Sequence, residues 1–213
     1  MENVESYQQV SEVINRCEPT VVAIQELDSV TTRSNGVYVL DILAKNTNMV
    51  PTYAAAIDFQ GGKYGIGLLS KEAPISVKRV PLPGREESRM LLVCEFKDFV
   101  MACTHLSLTK EDQILSINII KESIKGYDKP VFLAGDMNSE PGSETQKGLN
   151  EFLSTLSSTA QPTFPANAPR ECIDFIYTLD NKYSPAKVSD ITVVSEAGTA
   201  SDHLPVMLNV AIK

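Results

Sequence analysis

Apolar positions near the start of the chain recur at helical spacing. Val10, Val13, Ile14 and Cys17 fall at i, i+3, i+4 and i+7, which predicts one face of a helix. Pro19 interrupts that pattern, and residues 20–24 follow as a short run that predicts a buried strand. Residues 38–43, 52–59, 64–69 and 75–82 predict further strands, with Gln60-Gly61-Gly62-Lys63 as a turn. Residues 89–96 and 99–105 predict a hairpin joined at Lys97-Asp98. Thr109 with Asp112 three residues on resembles a capping box with Asp in place of Glu. It opens a helix carrying Ile114, Leu115, Ile117, Ile119, Ile120 and Ile124, which Gly126 can close. Residues 131–134 show no alternation, so they predict a strand buried on both faces, and residues 172–177, 191–194 and 204–210 complete the set. Many strands, few helices, no repeat and no long linker predict one domain over residues 1–213, of α+β or layered α/β class, built around packed sheets.

Composition narrows the choice of class. The chain has 213 residues, 43% of them hydrophobic and 22% charged, which is ordinary for a globular domain and excludes disorder, collagen and coiled coil. At this length no disulfide or metal staple is needed to fold. The apolar runs fall well short of a membrane span, and the first residues carry Glu2 and Glu5 with no basic or apolar leader, so a soluble chain without a signal peptide is expected. A formal net charge of −8 lacks the Lys and Arg excess that neutralises phosphates, so long duplex nucleic acid is disfavoured as a partner. With no Trp, and with Tyr and Phe scattered, no stacking platform for single strands is visible. Cys17, Cys94, Cys103 and Cys172 form no CxxC pair and read as small buried hydrophobes.

Polar residues gather where the apolar runs end. The run 21–24 leads into Gln25-Glu26, 99–104 into His105, 131–134 into Gly135-Asp136-Met137-Asn138, and Cys172-Ile173 into Asp174, while Ser201-Asp202-His203 precedes Leu204. Each has a bland reading of its own. Glu26 suits a solvated edge, Asp136 suits turn chemistry, Asp202 suits an N-cap or a partner for His203, His105 suits a structural role, and alternation would expose Asp174. Together they read as a rim assembled from several strands. Its oxygen donors suit a hard cation, and its two imidazoles suit phosphoryl chemistry.

These motifs, with the segment 64–70 (Tyr-Gly-Ile-Gly-Leu-Leu-Ser) and Thr104-His105-Leu106, stand in an order that resembles the endonuclease/exonuclease/phosphatase superfamily, the group that contains deoxyribonuclease I. Thr163-Phe164-Pro165 is similar to its small bacterial members. The resemblance implies a four-layer α/β/β/α sandwich with two mostly antiparallel sheets. It also implies a phosphoesterase that uses Mg²⁺ or Mn²⁺ to hydrolyse a phosphodiester or phosphomonoester of a small or lipid-type substrate. By that resemblance Glu26 and Asp202 would hold the metal, and Asp136 and Asn138 would orient the attacking water. His203 would contact the phosphate and move protons, Asp174 would hold its tautomer, His105 would donate to a phosphoryl oxygen, and Arg89 would contact the phosphate. A nuclease on the same site, or a binding module with impaired chemistry, are the alternatives.

Two departures from the family pattern carry expectations. The family begins with a strand ending in Asn, whereas Asn3 follows no apolar run. A slot or open edge is therefore expected beside the strand that bears Glu26, with self-association through it. Cys172 stands where small members often carry Arg.

Overall fold

The computed structural model describes residues 4–185, 187–198 and 200–212; Asn3 lies outside the described residues. The chain opens with α1 (Val4–Cys17), β1 (Val21–Ser29) and α2 (Val39–Thr47), then runs through β2 (Val50–Phe59), β3 (Gly62–Ser70), β4 (Ser76–Leu82), β5 (Arg89–Glu95) and β6 (Val100–His105). After α3 (Lys110–Ile124) come β7 (Val131–Asp136), α4 (Glu144–Leu149), β8 (Leu153–Thr155), β9 (Asp174–Leu179), β10 (Lys187–Val193) and β11 (Val206–Ala211).

Three sheets form among the described residues. Their orders are β1-β3-β2, β4-β5-β6-β7-β9-β8 and the two-stranded β10-β11. All pairs are antiparallel except β6 with β7, which need the α3 crossover to run in the same direction. Packing makes the layers. Tyr7 and Ile14 of α1 and Val39, Leu40 and Leu43 of α2 close over Ile24, Leu27 and Leu69 of the three-stranded sheet. The other face of that sheet, with Ala54, Ile66 and Leu68, meets Leu92, Cys94, Met101, Cys103 and Phe132 of the six-stranded sheet. Ile120 and Ile124 of α3 and Leu149 of α4 cover that sheet's far face. The result is the expected α/β/β/α sandwich, with Cys94 and Cys103 as packed thiols between the sheets.

Because β7 is covered on both faces, all six of its residues are buried, which explains its unbroken apolar run. Of residues 38–43, expected as a strand, Tyr38 is the extended N-cap and residues 39–43 belong to α2. Val39, Leu40, Leu43 and Ala44 are the buried positions, a helical stripe in which Asp41 faces out, and Tyr38 and Ile42 add apolar positions off that stripe. Fully burying Leu40 and Leu43 stabilises the domain by about 2 kcal/mol each. The capping box at Thr109 does not form: Thr109 Oγ1 donates to Glu86, and Asp112 accepts from the Arg85 backbone and guanidinium. Of the expected strand 20–24, residues 21–24 form only the first part of β1, which continues through a bulge between Ile24 and Leu27 to Ser29. Among the described strands β1 pairs with β3 alone, and on its other edge only Ser29 makes a bridge, to Tyr38, so no described strand covers the rest of that edge.

Candidate functional site

The six-stranded sheet aligns three polar side chains in one row. His105 ends β6, Asp136 ends β7, and Asp174 begins β9; the register pairs His105 with Asp136 and Asp136 with Asp174. Asp174 was expected at the end of a strand. It stands instead at the start of one that runs antiparallel to β7, and this brings it to the same rim. Gly135 makes the row close: a Cβ there would lie 1.9 Å from the Thr104 carbonyl oxygen, so β6 and β7 meet at that distance only because the side chain is absent.

His203 joins from the loop ahead of β11. Its Nδ1 lies 2.9 Å from Asp174 Oδ2, and its Nε2 lies 4.0 Å from Asp136 Oδ2. Thr163 Oγ1 donates to the same Asp174 oxygen at 2.5 Å, and the Phe164 ring packs on the imidazole with centroids 4.6 Å apart. Two backbone bonds tie these loops together, Leu204 N–H to the Thr163 carbonyl and Ala166 N–H to the Asp202 carbonyl. Asn138 follows β7 with φ +46; its N–H donates to Asp136 Oδ1 at 2.8 Å, and its side-chain amide donates to the Leu106 carbonyl. That is an Asx turn, so the turn chemistry and the site coincide. Buried Gln113 of α3 braces the same corner, donating to the carbonyls of Ser107 and Asn138 and accepting from Thr145.

The charges interact strongly. Burial first, then the charges of Asp174 and Glu26, push Asp136 up to about 7 despite the opposing Asn138 N–H and His203. Burial disfavours a charged His203, but the hydrogen bond and charge of Asp174, with Asp136 and Asp202, outweigh it and push the ring up to about 9. His105 goes the other way: burial, then Arg89 and His203, hold it down to about 3.

Glu26 sits in the β1 bulge with φ +59 and is exposed. A bulge re-aims a side chain, and the charge of Glu26 is felt at Asp136, Tyr64 and Glu87. Asp202 is exposed, accepts from Ser201 Oγ at 3.4 Å, and acts electrostatically on His203. Among the described residues, Asp136, Asp174 and His203 each offer a ligand atom within 4.8 Å of the others and could hold a cation; Glu26 and Asp202 stand outside that group. Arg89, expected to contact phosphate, is buried, with its guanidinium turned to Glu87 and His105. An open cavity of about 460 Å³ beside α1, lined by Gln9, Val13, Arg16, Ala197 and Ala200 among others, contains none of these residues.

The model of the endonuclease/exonuclease/phosphatase family matches residues 2–203. The chain belongs to that family. No curated protein matches it. Among solved structures of the same fold, an endonuclease/exonuclease/phosphatase from Bacteroides vulgatus is 20% identical with a TM-score of 0.79, covering 98% of this chain and 90% of its own. The mannosyl-6-phosphatase of Bacteroides thetaiotaomicron VPI-5482 is 14% identical with a TM-score of 0.74, covering 98% and 91%. A functionally unknown conserved protein from Enterococcus faecalis V583 is 19% identical with a TM-score of 0.78, covering 98% and 91%. Members of this family are generally divalent-metal-dependent hydrolases of phosphate esters.

Proposed function

We propose that this family member is a metal-dependent phosphoesterase that hydrolyses a phosphodiester or phosphomonoester of a small or lipid-type substrate. The observation that carries the reading is the row His105–Asp136–Asp174 with His203 paired to its last member. A carboxylate pushed up to about 7 beside a ring pushed up to about 9 gives a proton acceptor and a proton donor near neutral pH. Asp136 would accept the proton of the attacking water, oriented with Asn138. Protonated His203, held by Asp174, whose carboxylate also accepts from Thr163, would bind the phosphoryl group and supply a proton toward the leaving oxygen. Neutral His105 would donate one hydrogen bond to a phosphoryl oxygen.

The residues fit a hard cation. Asp136, Asp174 and Glu26 crowd like charge around a buried carboxylate, and a divalent ion relieves that crowding. Glu26 and Asp202 would hold Mg²⁺ or Mn²⁺ with waters completing the shell, because the ion pair to His203 and the Thr163 bond already occupy Asp174. When bound, the ion would polarise the phosphoryl oxygen and neutralise developing charge. The phosphatase among the similar structures and the net charge of −8 both favour a small phosphate ester over a long duplex. The open edge of β1 would permit self-association by strand addition, readable as concentration-dependent mass in light scattering.

The test is a panel of phosphate esters assayed with Mg²⁺, Mn²⁺ and EDTA. Turnover of at least one ester, dependent on metal and abolished by EDTA, is expected. Absence of turnover across the panel, with tight binding of a phosphate ester retained, would favour the impaired binding module instead.

A further inference from the structure

Arg89 is a buried cation that the proposed chemistry does not use. It opens β5, is 6% exposed, and lies inside the protein beside the polar row. Its Nη1 carries two hydrogens, and both have acceptors: Glu87 Oε1 at 2.9 Å and His105 Nδ1 at 3.3 Å. The other terminal nitrogen faces Glu86 Oε1 at 3.5 Å. Glu86 is itself fixed by Ser107 Oγ, Thr109 Oγ1 and the Leu108 N–H, so the guanidinium is held from two sides.

A guanidinium only donates. An imidazole nitrogen facing it must present a lone pair, so His105 Nδ1 carries no proton in this arrangement. The ring then keeps its single hydrogen on Nε2, the atom that faces Asp136 Oδ2 at 3.5 Å. The other tautomer would set two N–H groups against each other at Nδ1 and leave a lone pair against a carboxylate oxygen at Nε2. Both faults would lie in a buried place, since His105 is 7% exposed.

We infer that Arg89 is a positioning residue: by donating to Nδ1 it holds His105 as the neutral Nε2–H tautomer, with its one donor aimed into the site. The usual device for fixing a histidine is an acceptor on one nitrogen, as Asp174 provides for His203. Here a donor does the opposite on the second histidine. The two imidazoles of the site are thereby given different forms, one cationic and one neutral, by partners of opposite charge. For its kinetic consequence the inference rests on the phosphoesterase reading; for its structural content it does not.

The chain has two histidines, so its tag-free form gives an imidazole spectrum of two rings. Two-dimensional ¹⁵N NMR on histidine-labelled protein at neutral pH reads the protonation of each nitrogen, with His105→Gln assigning the signals. One ring with a bare Nδ1 and a protonated Nε2 is expected for His105. A proton on Nδ1, whether as the other tautomer or as a cation, overturns the inference without need of any variant. Arg89→Met, which keeps length and removes the donors, is expected to give a mixture of tautomers. In a substrate assay it should lose on the order of 10–10²-fold in kcat with KM little changed. A folded Arg89→Met protein with the wild-type spectrum also overturns it. If wild type shows the Nε2–H ring yet hydrolyses no ester, the phosphoesterase reading fails while the role of Arg89 stands.

Discussion

Two donors converge on one oxygen of Asp174, the Thr163 hydroxyl and His203 Nδ1. Asp174→Asn keeps an acceptor for one of them and removes the charge that both share. The His203 pKa should fall from about 9 toward the ordinary 6.5, readable as an NMR titration. The sign for stability follows. A ring whose pKa is raised on folding contributes stability that is fully present below about 6.5 and is lost as pH rises through about 9. Melting of the wild type should therefore weaken between those values by roughly 1–3 kcal/mol, while Asp174→Asn should show a flatter profile. Turnover should fall by on the order of 10²–10⁴-fold; an unmoved titration would contradict the pairing. His105, Asp136, Asp174 and His203 were legible because each follows or precedes an apolar run within a short motif. The roles of Thr163, Gln113 and Arg89 were not. These residues act through partners 11, 25 and 16 positions away, and no local spacing encodes such contacts. Glu26 was legible as a candidate, but its placement in a bulge was not, since nothing in Ile24-Gln25-Glu26-Leu27 marks an extra residue.

At the level of elements, the parallel pair β6–β7 sets the spacing of the row. Gly135→Ala would force its Cβ against the Thr104 carbonyl, which is backbone and cannot rotate away. The expected cost is about 1–3 kcal/mol, a Tm fall of roughly 2–12 °C, with turnover lost at the same time because His105 and Asp136 sit one residue beyond the clash. Thermal melting with the ester assay checks both; a variant that melts and turns over like wild type would show that the strands can separate freely there. The interior strands were readable because a sheet covered by helices on one side and a second sheet on the other demands unbroken apolar runs. The helix α2 was hidden for a different reason: Tyr38 and Ile42 add apolar positions off its stripe of Val39, Leu40, Leu43 and Ala44 and hide the helical period over so short a stretch. The elements α4 and β8 span six and three residues, too short for any period to show.

Across the whole molecule, the candidate site draws Glu26 from β1, the row from the six-stranded sheet and His203 from beside the terminal ribbon. A divalent ion that binds only this assembled arrangement should stabilise it by mass action. At one hundred times its Kd, Mg²⁺ or Mn²⁺ should add about 2.7 kcal/mol, a Tm rise of roughly 5–11 °C that EDTA reverses. Calorimetry that shows no shift would argue that Glu26, Asp202 and their neighbours hold no cation. The ribbon itself has a separate consequence. Strands β10 and β11 hydrogen-bond to each other and to no other described strand, and most of their side chains are partly or fully exposed. A lone two-stranded ribbon is marginal in water, so this part of the chain is the one whose amide hydrogens should exchange first. In a urea series the midpoint for activity should then fall below the midpoint for loss of secondary structure, because opening the ribbon removes one anchor of the loop that carries His203 and loosens its pairing with Asp174 while the sandwich stands. Catalysis in this fold would be the first property to melt.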